Sequence, residues 1–218
     1  MKKKTSTGPV WKGEDWRILL TNNAQPSAEL EQVKDDGVLS THPELLALVG
    51  CEQDPIWHPE GDVWAHTLLS LDCFAKERSG DVLEDYIVGL AVLCHDLGKP
   101  ATTQVLDGRI VSRRHEAEGE VPTRSFLARI AVAPLDIEAV IPLVLNHMRP
   151  EQLYKAKSSD SAVMRLAKRV NNRIDRLIRV ARADKGGRGA TGKLDFPAGD
   201  WVLEKHRRAI PTLSVKVL

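Results

Sequence analysis

Four histidines and two aspartates carry the chemistry open to this 218-residue chain: His66, His95, Asp96, His115, His147 and Asp184. Imidazole and carboxylate together form a donor set for divalent Zn, Mn, Fe, Ni or Co. The stretch VLCHDLGKP, residues 92–100, shows the pattern most plainly, because an apolar run ends in His95 and Asp96 with Lys99 close behind. Metal ions repel a lysine unless an anion lies between them, and a phosphate would serve. On local grounds alone, Lys99 reads equally as a solvated cap balancing the dipole at a helix C-terminus.

Such residues act together only if the chain brings them to one place, and the helical pattern provides for that. Residues three, four and seven apart share a helix face. Val63, His66, Leu69 and Cys73 form one such stripe, and Ile137, Val140, Val144 and His147 form another. Leu166, Val170, Ile174, Leu177 and Ala181 lead to Asp184 along SAVMRLAKRVNNRIDRLIRVARAD, read as a single long helix. A core-facing Asp184 requires a cation, either a metal or one of Arg169, Arg173, Arg176, Arg179 and Arg182. His115 follows TTQVLDGRIVSRR, in which two β-capable runs flank Asp107-Gly108, the pair preferred in a tight type I′ turn. That hairpin can fold His115 back over the same interior. No short motif of the HExxH kind sets the geometry.

The expected fold is therefore all-α, a helical bundle with one small β-hairpin near residues 102–113. Gly98 and Pro100 are expected to end the helix that carries His95. Residues 1–40, polar and mixed, read as a partly flexible leader, 41–190 as the functional domain and 191–218 as a C-terminal extension.

Composition narrows the classes further. Lys and Arg total 31 against 30 Asp and Glu, a formal charge of +1, so no global field points to a nucleic-acid or membrane partner. The ten basic residues from Arg165 to Lys193 make a local cationic segment, read either as a solvated face or as an RNA contact. Three widely spaced cysteines, Cys51, Cys73 and Cys94, argue against a disulfide framework and fit a cytoplasmic location. No apolar run reaches the roughly 18 residues of a membrane span, and MKKK is followed by no signal-peptide core.

The ordered set His66, His95-Asp96, His115, His147, Asp184 resembles the HD superfamily of metal-dependent phosphohydrolases. More specifically, PELLALVG, QDPIWHPEGDVWAHTLL, LCHDLGKPATT, DGRI followed by HEAEG, LVLNHMRP and RVARADKGG are similar to the HD domain of bacterial CCA-adding tRNA nucleotidyltransferases, over about residues 41–190. The Gly-Ser pair and Asp-x-Asp motif of that family's nucleotidyltransferase head have no counterpart in residues 1–40, so polymerase activity is not implied. The resemblance implies that His66, His95, Asp96 and Asp184 bind a first metal, and that Asp96 bridges to a second held by His115 and His147. It also implies that Lys99 contacts the scissile phosphate. His58 matches a motif position and reads as a structural loop residue, while Glu116, Arg109 and Arg149 lie close enough in sequence to position substrate. The implied activity is hydrolysis of a phosphoester in a nucleotide, a 2′,3′-cyclic phosphate or an RNA end, with a phosphorylated small molecule, a nucleotide or RNA as partner. The rival reading is an RNA- or protein-binding module with structural metals or none.

Overall fold

The computed structural model describes residues 11–189 and 195–210. Among these the chain is helical apart from one hairpin, as the sequence pattern predicts. The helices are α1 (Gly13–Asn22), α2 (Pro26–Asp35), α3 (Pro43–Leu46), α4 (Val63–Lys76), α5 (Val82–Cys94) and α6 (Lys99–Thr102). After strands β1 (Thr103–Leu106) and β2 (Arg109–Ser112) come α7 (His115–Glu118), α8 (Glu120–Arg129), α9 (Pro134–Asn146), α10 (Arg149–Lys155), α11 (Asp160–Arg169), α12 (Ile174–Gly186) and α13 (Pro197–Ala209).

Helix α5 is the axis of the bundle. Asp81 caps its start by accepting from the N–H groups of Leu83 at 3.0 Å and Glu84 at 3.1 Å. From Asp85 to Cys94 every residue is buried, and the helix packs against α1, α4, α9 and α12. A helix that is apolar on all sides is stable only when enclosed in this way. Burial of each large aliphatic side chain, worth roughly 1.5–3 kcal/mol, outweighs the weak helix propensity of its valines and isoleucine. Helix α4 starts where Asp62 accepts from Ala65 N at 2.8 Å and from Gly50 N at 2.7 Å, which ties the preceding loop to the helix.

The hairpin is antiparallel, with Thr103 opposite Ser112 and Leu106 opposite Arg109. Asp107 and Gly108 have φ of 50° and 74°, the left-handed pair that a type I′ turn needs.

Four details differ from the sequence reading. Residues 13–39 do not form a loose leader: Trp16, Leu19, Leu20, Leu30, Val33, Val38 and Leu39 belong to the main core. Arg78 also donates to the carbonyls of Leu19 at 3.1 Å and Leu20 at 2.8 Å, closing the end of α1. Polar residues between those apolar ones mask the pattern; residues 1–10, 190–194 and 211–218, which include Lys193, lie outside the described residues. The long helix is two helices, broken where Asn171 and Asn172 adopt left-handed φ of 54° and 59° and Asn172 N donates back to Ala167 O at 2.7 Å. Asparagine tolerates that conformation, so the NN pair is the stop signal.

On α4 the inward face holds Val63, His66, Thr67, Ser70, Leu71 and Phe74, whereas Leu69 is exposed and Cys73 half-buried. His66 is inward, but two of its proposed companions are not. Finally, Pro100 sits in the first turn of a new helix, α6, rather than stopping the old one. Proline lacks only an N–H that a first turn leaves unpaired, so it can begin a helix as readily as end one.

Candidate metal centre

Helices α5 and α9 end alike. Each closes on Val-Leu-x-His, with His95 and His147 just past the last helical residue. Each ring donates its Nδ1 proton to the carbonyl three residues back, Val92 and Val144, both at 2.7 Å. His115 opens α7 and donates from Nδ1 to Ser112 O at 2.8 Å, so the end of the hairpin orients it. His66, in the first turns of α4, directs Nδ1 to Glu60 Oε1 at 2.7 Å. Acceptors that cannot donate thus hold all four Nδ1 atoms, which fixes the tautomer and turns each Nε2 inward as a lone pair when the ring is neutral.

The Nε2 atoms meet the two aspartates in a buried cluster. Asp96 Oδ2 lies 3.2 Å from His95 Nε2 and 3.8 Å from His66 Nε2, while its Oδ1 lies 3.3 Å from His115 Nε2. Asp184 Oδ1 is 3.1 Å from His66 Nε2, and the Nε2 atoms of His115 and His147 are 3.3 Å apart. Among these six, two triads result, His66–His95–Asp184 and Asp96–His115–His147, each with ligand atoms within 4.8 Å of one another, and a third such group, His58–Glu60–His66, adjoins them through His66. All six residues are buried.

The donor set fits divalent ions on physical grounds. The Nε2 atoms of His115 and His147 are 3.3 Å apart with both Nδ1 protons committed, so two neutral rings would repel there, and a proton or a metal ion held by them removes that repulsion. His95 Nε2 and Asp96 Oδ2 are buried polar atoms without a hydrogen-bond partner. Lys99 Nζ lies 2.7 Å from Asp96 Oδ2 as an ion pair without hydrogen-bond geometry, and it donates instead to Gln53 Oε1. An unpartnered buried nitrogen costs about 1–3 kcal/mol, which a ligand on His95 Nε2 would recover.

Electrostatics agree. Burial pushes His147 down to about 4, which leaves it neutral and ready to ligate at pH 7. Burial opposes charge on His66 too, but the flanking Asp184 and Glu60 carboxylates raise it to about 9. A divalent ion can replace that proton on Nε2. Asp96 and Asp184 both lie well below the usual carboxylate range despite their burial: His95 and Lys99 favour the charged form of Asp96, and Arg188 and His66 that of Asp184. Glu60 falls to about 2, its burial overcome by hydrogen bonds from His66 and His58. The C-termini of α5 and α9 add negative dipole ends.

The cluster lies in a cavity of about 300 Å³ that is also lined by Gln53, Trp57, His58, Lys155 and Arg188. Asp96, Lys99, His115, His147 and Asp184 line it, and His66 and His95 stand directly behind. Arg109 and Arg149 are not brought here. Arg109 is exposed at the turn end of the hairpin, away from Ser112, and Arg149 binds Gln152 and faces a separate cleft beside Arg165 and Arg169. Glu116 lies 3.8 Å from His115 Nδ1, outside the cavity lining.

The cation beside Asp184 is Arg188, at 3.2 Å, one helical turn on, and none of the five arginines considered from sequence. Of those five, Arg173 and Arg176 bind Glu84, Arg179 binds Asp85, and Arg182 lies near Glu77 and Asp200. Much of the basic segment therefore neutralises carboxylates of the fold itself. Sequence reasoning missed Glu60, Gln53 and Arg188. The repeated Val-Leu-x-His is a signal that could have linked His95 to His147, but Glu60 lies in a loop where no helical spacing applies.

With this geometry in place, the comparisons agree. The HD domain family model matches residues 70–185, more than half of the chain, and the chain belongs to that family. HD domains form a superfamily of metal-dependent phosphohydrolases and bind divalent metals. His66 falls just before the matched region and joins the cluster through α4. Among curated relatives, the multifunctional CCA protein of Xanthomonas campestris pv. campestris (strain B100) is 33% identical over 207 residues, 92% of this chain and 48% of that protein. Those of Xylella fastidiosa (strain M23) and Stenotrophomonas maltophilia (strain R551-3) are 30% and 32% identical over the same share of this chain, covering 47% and 48% of their own lengths. The chain spans about half the length of the curated relatives it matches. No helix among the described residues is long and apolar enough to cross a membrane.

Proposed function

We propose that this chain hydrolyses a phosphoester, of a nucleotide, a 2′,3′-cyclic phosphate or an RNA end, with divalent Mn, Ni, Co, Fe or Zn as cofactor. One observation carries the reading: Asp96 presents one carboxylate oxygen to each of two histidine-containing triads, with Lys99 at its side. His66, His95 and Asp184 would hold one ion, His115 and His147 the other, and Asp96 would bridge both. Divalent ions so held supply Lewis acidity, neutralising phosphoryl charge and acidifying water.

The chain's own residues do the remainder. Lys99 and Arg188, both facing the cavity, attract and orient the anionic group, and Arg188 can form paired hydrogen bonds to it. Gln53 and Asp96 keep the Lys99 ammonium from swinging away. Glu60 and the three carbonyls fix the four rings, so no ring need reorient during turnover. Protein loaded with Mn, Ni or Co should turn over phosphomonoesters or phosphodiesters, and Asp96→Ala should lower that rate by at least about a thousandfold. Equal turnover by the variant would refute the assignment.

A further inference from the structure

Trp57 stands at the rim of the catalytic cavity with 67% of its surface exposed, next to Ile56 at 75%. Among the described residues it is the most exposed aromatic side chain, and hydrogen bonds hold the backbone beneath it. Ile56 N donates to Asp54 Oδ1 at 2.9 Å, and the N–H groups of Trp57 and His58 donate to Asp54 O at 3.1 and 2.9 Å. The loop is anchored on both sides to the site: Gln53 donates to Gly61 O at 3.2 Å and accepts from Lys99, while His58 Nδ1 meets Glu60 Oε1 at 2.8 Å, the same oxygen that holds His66.

We infer that Trp57 is the stacking platform for the nucleobase of a nucleoside phosphate whose phosphoryl group enters the cavity. This rests on the phosphohydrolase reading above and narrows its substrate class. At about 300 Å³ the cavity is at the small end of the range for ligand sites, so a phosphoryl group and its sugar fill it and anything further projects past the mouth. Trp57, part of the lining and largely exposed, is the indole available to stack there. Every base has a π-face, so the platform accepts any nucleoside and confers preference for nucleotides over sugar or glycerol phosphates.

The test compares nucleoside monophosphates and 2′,3′-cyclic nucleotides with ribose 5-phosphate and glycerol 2-phosphate, which carry no aromatic group. Trp57→Ala should lower kcat/KM on the nucleotide substrates about ten- to a hundredfold, leave that on the sugar and glycerol phosphates within about twofold, and be largely rescued by Trp57→Phe. Because the side chain is mostly exposed, the variant should keep the parent's circular dichroism spectrum and melting temperature. Equal loss on both substrate groups, or none on nucleotides, would overturn the inference. Should the parent hydrolyse none of these compounds, the phosphohydrolase reading fails by itself. Equilibrium dialysis then decides: Trp57→Ala should weaken binding of adenosine monophosphate tenfold or more and leave that of inorganic phosphate unchanged, and unchanged nucleotide binding would refute the platform.

Discussion

The two ends of α5 each bury a carboxylate, and the contrast between them separates structure from function. Asp85, in the first turn, and Asp96, just past the last, are both 2% exposed. Asp85 is fully partnered by the protein. Its Oδ1 accepts from Ser79 N and Ser79 Oγ, both at 2.9 Å, and from Arg179, while its Oδ2 accepts from Gly80 N at 2.9 Å. Asp96 has Lys99 Nζ 2.7 Å from its Oδ2 as an ion pair without hydrogen-bond geometry, and is otherwise ringed by the Nε2 atoms of His66, His95 and His115. One carboxylate closes a turn and the other faces the rings and the ammonium of the candidate metal centre. Burial alone therefore says nothing of purpose; whether the surrounding donors can satisfy the charge does.

Substitutions at the two positions should behave as opposites. Asp96→Ala should show the larger effect, the loss of turnover by at least about a thousandfold given above, and should also abolish any rise in melting temperature on adding Mn. An ion at about a hundred times its Kd adds roughly 2.7 kcal/mol to a folded protein that binds it, so the missing increment is readily measured by thermal denaturation. Asp85→Ala should keep the Mn-dependent increment but lower stability by about 3 kcal/mol in urea unfolding, because Arg179 and two N–H groups lose their acceptor.

The same pair predicts the acid response. Contacts from Ser79, Gly80 and Arg179 hold Asp85 below the usual aspartate range despite its burial, and Arg176 and Arg173 hold Glu84 at about 2. A carboxylate depressed in the folded state stabilises fully above its unfolded pKa and loses that contribution as pH falls through the folded one. Stability should therefore fall from about pH 4.5 towards 2, and Asp85→Ala should flatten that decline. A variant with an unchanged slope would remove Asp85 from the acid response.

Smallest should be the effect of Glu60→Ala, which leaves every ligand in place but frees the His66 ring. Metal affinity should fall about ten- to a hundredfold in calorimetric titration, with the fold intact. No change would mean that packing alone orients His66.

The helical fold and the candidate site were legible in the sequence, though unevenly, while the role of Asp85 was not. The six candidate ligands stood out by type, and His66, His95, His147 and Asp184 also by their place along apolar stripes, because a helix's period converts spacing into direction. The hairpin was equally legible, since Asp-Gly at its turn has few alternatives. Partners set by tertiary approach were not. Glu60 reaches His66 from a loop, and Arg188 stands beside Asp184 while four of the five arginines considered from sequence meet Glu84, Asp85, Glu77 and Asp200 instead. Gly98 shows the same limit: a Cβ there would stand 2.0 Å from His115 O, a close approach of α6 to α7 that no local pattern foretells.

The central claim, that Asp96 joins the His66–His95–Asp184 triad to its own around a pair of divalent ions, is tested most directly by anomalous diffraction from crystals grown with Mn. Two peaks should be found, one within bonding distance of His66, His95 and Asp184, the other of His115 and His147, with a carboxylate oxygen of Asp96 on each. Full occupancy of Mn elsewhere on the chain, with no peak between these residues, would contradict it.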